Sequence, residues 1–166
     1  MGGPAHINLL YSCVKLLKPK IVIETGVAYG WSSLAILKAL TELKNGKLFS
    51  IDMPYPRSNN DNDVGIVVPS NLKHNWSLIR KPDNPGIIYI LNIIKKKIDL
   101  CHYDSDKSWW GRKYAYPILW DSLNSGGIFI SDDIQDNLAF KNFVESKNLI
   151  FAVTEYKGKY IGITKK

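Results

Sequence analysis

The chain has 166 residues, 45% of them hydrophobic and 22% charged, a size and composition that suit one domain with a real core and exclude a disordered or fibrous chain. The net charge of +7 invites nucleic-acid binding, but the basic residues are scattered and the only run, Lys95-Lys96-Lys97, falls at an expected helix end, where cations suit the macrodipole. Two cysteines without zinc spacing, no apolar run near ~18 residues and no signal-like N-terminus argue against a disulfide scaffold, structural zinc, secretion or membrane anchoring, and so predict a cytoplasmic protein.

His6 to Leu17 carries apolar residues at helical spacing and is stopped by Pro19. Lys20 to Glu24 is a short β-branched run, as expected of a strand covered on both faces. Trp31 to Leu43 predicts a helix ended by Asn45-Gly46, and Lys47 to Ile51 a second strand closing on Asp52. Met53 to Ser70 is rich in Pro, Asn and Asp and predicts either a functional loop, a lid that orders with ligand, or a partly disordered segment. Trp76 to Ile79 is a third strand, Pro85 to Lys96 a helix, Ile98 to Tyr103 a fourth strand. Ser108 to Leu123 predicts a helix that Pro117 kinks or restarts. Gly126-Gly127 turns the chain into a strand at Ile128 to Ser131. Ile134 to Ser146 is helical, and Leu149 to Thr154 with Tyr160 to Thr164 forms a closing hairpin.

Strands alternating with helices predict an α/β fold over residues 1–166, a Rossmann-like, mostly parallel doubly wound sheet with a C-terminal antiparallel hairpin. In such sheets ligands bind outside the carboxyl ends of the strands. The residues expected there are Glu24, Asp52, Asp104, Asp132 and Asp133.

Glu24-Thr-Gly26-Val27-Ala-Tyr-Gly30-Trp-Ser32 occupies the first strand-to-helix turn. Gly26 and Gly30 allow a tight turn and close approach of backbone to ligand, and the following helix N-terminus offers free N–H groups. The segment lacks the dinucleotide and P-loop patterns, so a ligand without phosphates fits better; a purely structural turn would use the same glycines. Asp52 sits where a carboxylate accepts hydrogen bonds from a ribose, or alternatively caps a loop.

These segments resemble the class I S-adenosylmethionine (SAM)-dependent methyltransferases from Lys20 to Thr164. Glu24-x-Gly26-Val27-x-x-Gly30-x-Ser32 is similar to the first motif of the small cation-dependent O-methyltransferases of the catechol and caffeoyl-coenzyme A type and of related sugar and natural-product enzymes. The resemblance implies that Glu24, Gly26, Val27, Gly30, Ser32, Asp52 and Asp104 bind S-adenosyl-L-methionine. Asp104-Ser-Asp106-Lys107 resembles the strand-four motif, and Asp132-Asp133 the acidic pair after strand five. Together Asp104, Asp132 and Asp133 would form a site for a hard cation, Mg2+ first, although Asp104 could serve the cofactor alone and Asp132 could cap a helix. Lys107, with Asp104 in the catalytic pair, matches a general base. That role needs a lowered pKa, and a salt bridge to Asp104 or Asp106 would do the reverse. His102 reads as a satisfied core histidine, and Trp109-Trp110 as a wall near the site or as core.

The function expected is methyl transfer to a hydroxyl oxygen of a small molecule or sugar, with no membrane partner and no nucleic acid. The alternatives are a non-catalytic cofactor-binding module and a nucleic-acid methyltransferase. The family's longer members carry more structure before the first strand, so an incomplete pocket, a pocket completed by a homodimer and a shortened chain all stay open.

Overall fold

A computed structural model describes residues 6–53, 61–95 and 97–166. Helix α1 (Ile7–Leu17) starts where the His6 imidazole accepts the Leu9 amide and ends at Lys18, whose left-handed backbone sends its N–H to Val14. Strand β1 (Ile21–Thr25) follows, then α2 (Trp31–Leu43), β2 (Lys47–Ile51), β3 (Trp76–Ile79) and α3 (Asp83–Ile94). The second half comprises β4 (Ile98–Tyr103), α4 (Trp109–Ser122), β5 (Leu123–Ser131), α5 (Ala139–Ser146), β6 (Phe151–Tyr156) and β7 (Lys159–Lys165).

The strands form one seven-stranded sheet in the order β3-β2-β1-β4-β5-β7-β6. The first five are mutually parallel, and β7 runs antiparallel to both β5 and β6. This is the predicted doubly wound sheet with its terminal hairpin.

Two apolar layers cover the faces. Ile23, Ile51, Cys101, Tyr103 and Phe129 meet α3, α4 and α5 on one side, and Val22, Leu48, Leu100 and Ile130 meet α1 and α2 on the other. Alternate residues of each strand therefore feed opposite cores, which is why the strands read as unbroken apolar runs. Each fully buried Leu or Ile contributes ~1.5–3 kcal/mol.

Four segments differ from expectation for identifiable reasons. Helix α3 begins at Asp83 rather than Pro85, because a proline in the first turn removes an N–H that has no intrahelical acceptor. It ends at Ile94 with Lys95 as left-handed cap; of the basic run, Lys96 lies outside the described residues, and Lys97 donates to the Asp121 carbonyl. Helix α4 runs through Pro117 without restarting, held by the Ser108 cap and by buried Arg112, Ala115, Tyr116, Leu119 and Trp120. Strand β5 starts at Leu123, before the glycine pair, because the Gly126 amide and Gly127 carbonyl pair with Lys166. The segment after β5 is broken at Asn137, whose side chain accepts the Ala139 amide and donates to the Lys107 carbonyl.

Candidate active site

Strand order reverses between β1 and β4, and the expected residues gather at this switch, outside the carboxyl ends. Gly26 follows β1 with φ +81, and a Cβ there would overlap the backbone carbonyl of Asp104. Only glycine lets the two strand ends lie this close. Gly30 (φ +93) opens α2, and a Cβ there would stand 2.8 Å from the Gly65 Cα. Val27 and Ser32 are buried beside the turn.

Asp52 Oδ2 accepts the Val27 and Ala28 amides at 2.7 and 2.9 Å, while Oδ1 faces the Arg80 guanidinium at 3.7 Å. One oxygen thus braces the glycine turn and the other points away from it. Residues 54–60 of the expected lid lie outside the described residues. The rest of that segment is packed: Gly65 and Val67 donate to the Ala28 and Tyr29 carbonyls, and Val68 is buried.

A polar row crosses the α2 face of the sheet. Parallel register sets Ser50 and His102 on either side of Glu24, and Asp132 follows Ile130 on the same face. Glu24 is fully enclosed; its Oε2 accepts the hydroxyls of Ser33 (2.5 Å) and Ser50 (2.6 Å), and its Oε1 has no hydrogen-bond partner among the described residues. His102 is equally buried, with Nδ1 3.7 Å from Glu24 Oε1 and Nε2 3.3 Å from Asp132 Oδ1. Among the described residues neither ring nitrogen makes a well-aligned hydrogen bond, so the ion-pair contacts to Glu24 and Asp132 are what this core histidine has in place of one. Burial alone would push its pKa down; the carboxylates of Asp132, Glu24 and Asp104 outweigh that and raise it to about 10.

The expected aspartates do not behave alike. Donor atoms of Asp104, Asp132 and His102 lie within 4.8 Å of one another. Burial, then the Asp132 charge, pushes the Asp104 carboxyl up, against the opposing pull of Lys107 and His102. Asp133 instead sits in a left-handed bend (φ 53), paired with Lys107 at 2.8 Å and Lys159 at 3.1 Å. Burial pushes its carboxyl up, but the two lysines win and hold it low. The buried Arg112 fixes this corner by donating to the Asp132 and Asp133 carbonyls at 3.2 and 2.8 Å.

Lys107 bridges Asp104 and Asp133. Burial would lower its pKa, yet Asp104 first and then Asp133 raise it. In this arrangement the amine keeps its proton, which works against the general-base role expected of it. Asp106 caps the next turn through the Ser108 amide at 2.8 Å. Trp109 and Trp110 meet edge to face, with Trp110 73% exposed, so the pair is not core. Trp110 borders a cleft of about 520 Å³ with Asn84, Asp106, Ser108, Lys113 and Tyr114.

Ser33, Ser50, Arg112 and Lys159 were not singled out from the sequence. Ser33 directly follows Ser32, and the parity of Ser50 on β2 was visible, but its pairing with Glu24 depends on strand register. Nothing local marks Arg112 or Lys159.

The methyltransferase domain family matches residues 23–134. The tapetum-specific methyltransferase 1 of Arabidopsis thaliana is 28% identical over 153 residues, 89% of this chain, and the chain spans 60% of that relative's length. An O-methyltransferase from Bacillus cereus in complex with SAH has the same fold at a TM-score of 0.81, 14% identity, and coverage of 100% of this chain and 83% of that one. The O-methyltransferase TomG from Streptomyces achromogenes, involved in tomaymycin synthesis and solved with SAM, aligns at 0.75 and 14% identity over 96% and 79%.

Proposed function

The chain belongs to the methyltransferase domain family, and from that premise we propose that it transfers the methyl group of SAM to a hydroxyl oxygen of a small molecule or sugar. The observation that carries this reading is the meeting of the Gly26 turn, Asp52 and Asp104 at the β1–β4 switch. The methionine part of SAM lies along Gly26 to Ser32, a turn whose path Gly26 sets against Asp104 and Gly30 against Gly65, with Val27 buried beneath it. Asp52 keeps Oδ2 on the turn and offers Oδ1 to the ribose hydroxyls. Glu24 is enclosed and acts from behind the turn.

The acceptor oxygen attacks the sulfonium methyl in line. A C–O bond forms as the S–C bond breaks, and S-adenosylhomocysteine leaves. Alignment by the protein supplies most of the rate. The hydroxyl proton passes to the Asp104–Lys107 pair: Asp104 is the basic member, its carboxyl raised by burial and Asp132, and the Lys107 ammonium steadies the charge. A divalent cation such as Mg2+ fits Asp104 and Asp132 and would lower the pKa of the acceptor hydroxyl; Asp133 could join them only by leaving its lysines.

Calorimetry tests the cofactor site. SAM should bind, and Asp52→Ala should weaken it by about 1.5–3 kcal/mol through lost charge-assisted hydrogen bonds. A labelled-methyl assay on a panel of hydroxyl acceptors tests the reaction. Absence of SAM binding would overturn the proposal, and binding with no transfer to any hydroxyl would leave a cofactor-binding module.

A further inference from the structure

His102 is hard to explain as a structural residue. A buried imidazole normally donates from one nitrogen and accepts on the other, and here both are without a hydrogen bond although three carboxylates surround the ring. Its Nε2 is aimed at the Asp104–Asp132 pair. Its Nδ1 faces the one oxygen of Glu24 that Ser33 and Ser50 leave free. Metal-bound histidines usually present one nitrogen to the ion and the other to a carboxylate that fixes the ring.

The spacing agrees. Neighbouring ligands of an octahedral ion with bonds of ~2.1 Å stand about 3.0 Å apart. His102 Nε2 and Asp132 Oδ1 are 3.3 Å apart, and the Asp104 oxygen completes a group within 4.8 Å. Entry is open on one side, since the Asp104 side chain is 28% exposed. The ring stands 3.3 Å from Asp132 and 3.7 Å from Glu24 without a well-aligned N–H among the described residues, and a bound cation would take the place of the ring's proton.

Deepening the function proposed above, on which its chemical role rests, the geometry points to a divalent-cation site formed by His102, Asp104 and Asp132, with Glu24 as the positioning residue for His102. Asp133 is not a ligand; it stays with Lys107 and Lys159. One imidazole and two carboxylates suit a first-row ion such as Mn2+ better than Mg2+, which favours oxygen ligands.

The test uses tag-free protein and Mn2+ alone, read by electron spin-echo modulation and titration. The sequence has three histidines, and His6 and His74 each make a local backbone contact away from these acids. A nitrogen modulation from imidazole should appear on bound Mn2+, persist in the His6→Gln/His74→Gln double variant and vanish in His102→Gln. Asp132→Asn should weaken Mn2+ binding more than tenfold, whereas Asp133→Asn should leave it within about twofold. Glu24→Gln should keep the nitrogen signal and weaken binding ~10-fold or more.

Bound Mn2+ without nitrogen modulation, or equal losses in Asp132→Asn and Asp133→Asn, would overturn the site in favour of carboxylates alone. No Mn2+ binding at millimolar concentration would overturn it outright, and unchanged affinity in Glu24→Gln would remove the positioning role. If His102→Gln does not fold, the double variant decides. SAM binding measured without metal separates the two proposals: intact SAM binding with a failed Mn2+ test sinks only this one.

Discussion

Gly26 shows how one residue ties sequence to site. Its φ of +81 costs an alanine about 1 kcal/mol or more, and the added Cβ would strike the Asp104 carbonyl. Gly26→Ala should therefore lower stability by ~2–4 kcal/mol in urea unfolding and abolish SAM binding together with it. A stable variant with normal binding would show that the strand ends can separate freely. This glycine was legible in the sequence because its turn has a fixed pattern, whereas the partners of Glu24 were not: Ser33, Ser50 and His102 lie nine to seventy-eight positions away, and only strand register brings them together. The cysteines give a second residue-scale prediction. Burial pushes the Cys101 thiol far up and the half-buried Cys13 thiol up as well, so less thiolate is present at any given pH than for free cysteine. A thiol reagent at pH 8 should leave Cys101 unmodified and label Cys13 slowly, with both reacting fast in denaturant.

At the scale of elements, the short parallel strands were readable because each feeds two cores and so is apolar throughout, and the helices because one face repeats every turn. Where expectation failed, a side chain or a distant backbone group intervened. Asn137 interrupts the last helical stretch by bonding Lys107, and Lys166 extends β5 past its glycines. The segment before β3 bears on the expected lid through its described residues 61–70. Composition suggested a mobile lid, yet Gly65 packs under the Trp76 ring, whose indole N–H donates to Ser50 at 2.8 Å. Residues 61–70 thus form a strap clamped on the glycine turn rather than a free flap. Hydrogen exchange should find the Gly65 and Val67 amides protected in ligand-free protein, because both donate to that turn. Trp76→Ala should expose them and cost about 2–4 kcal/mol. Fast exchange in the unliganded wild type would restore the lid.

For the whole molecule, the charge of +7 and the strand-end site make different demands. Several lysines already have internal work: Lys107 and Lys159 hold Asp133, and Lys97 and Lys166 hold carbonyls at the end of α4. They are not arranged as a free basic stripe, and a scattered surface charge attracts polyanions only weakly and at low salt. The switch-point site, by contrast, draws on strand ends from both halves of the sheet, so a ligand that binds only the folded state must stabilise the whole domain. S-adenosylhomocysteine at one hundred times its Kd should add about 2.7 kcal/mol, which for a domain of this size is a rise of roughly 5–10 °C in Tm. Because the contacts are short-range and partly buried, that rise should survive 0.5 M salt. Single-stranded RNA should give a smaller shift at low salt that disappears by about 0.2 M. An RNA shift that exceeds the nucleoside's and persists in salt would mean that the lysines form a true nucleic-acid surface, and that the acceptor is sought there rather than among small hydroxyl compounds.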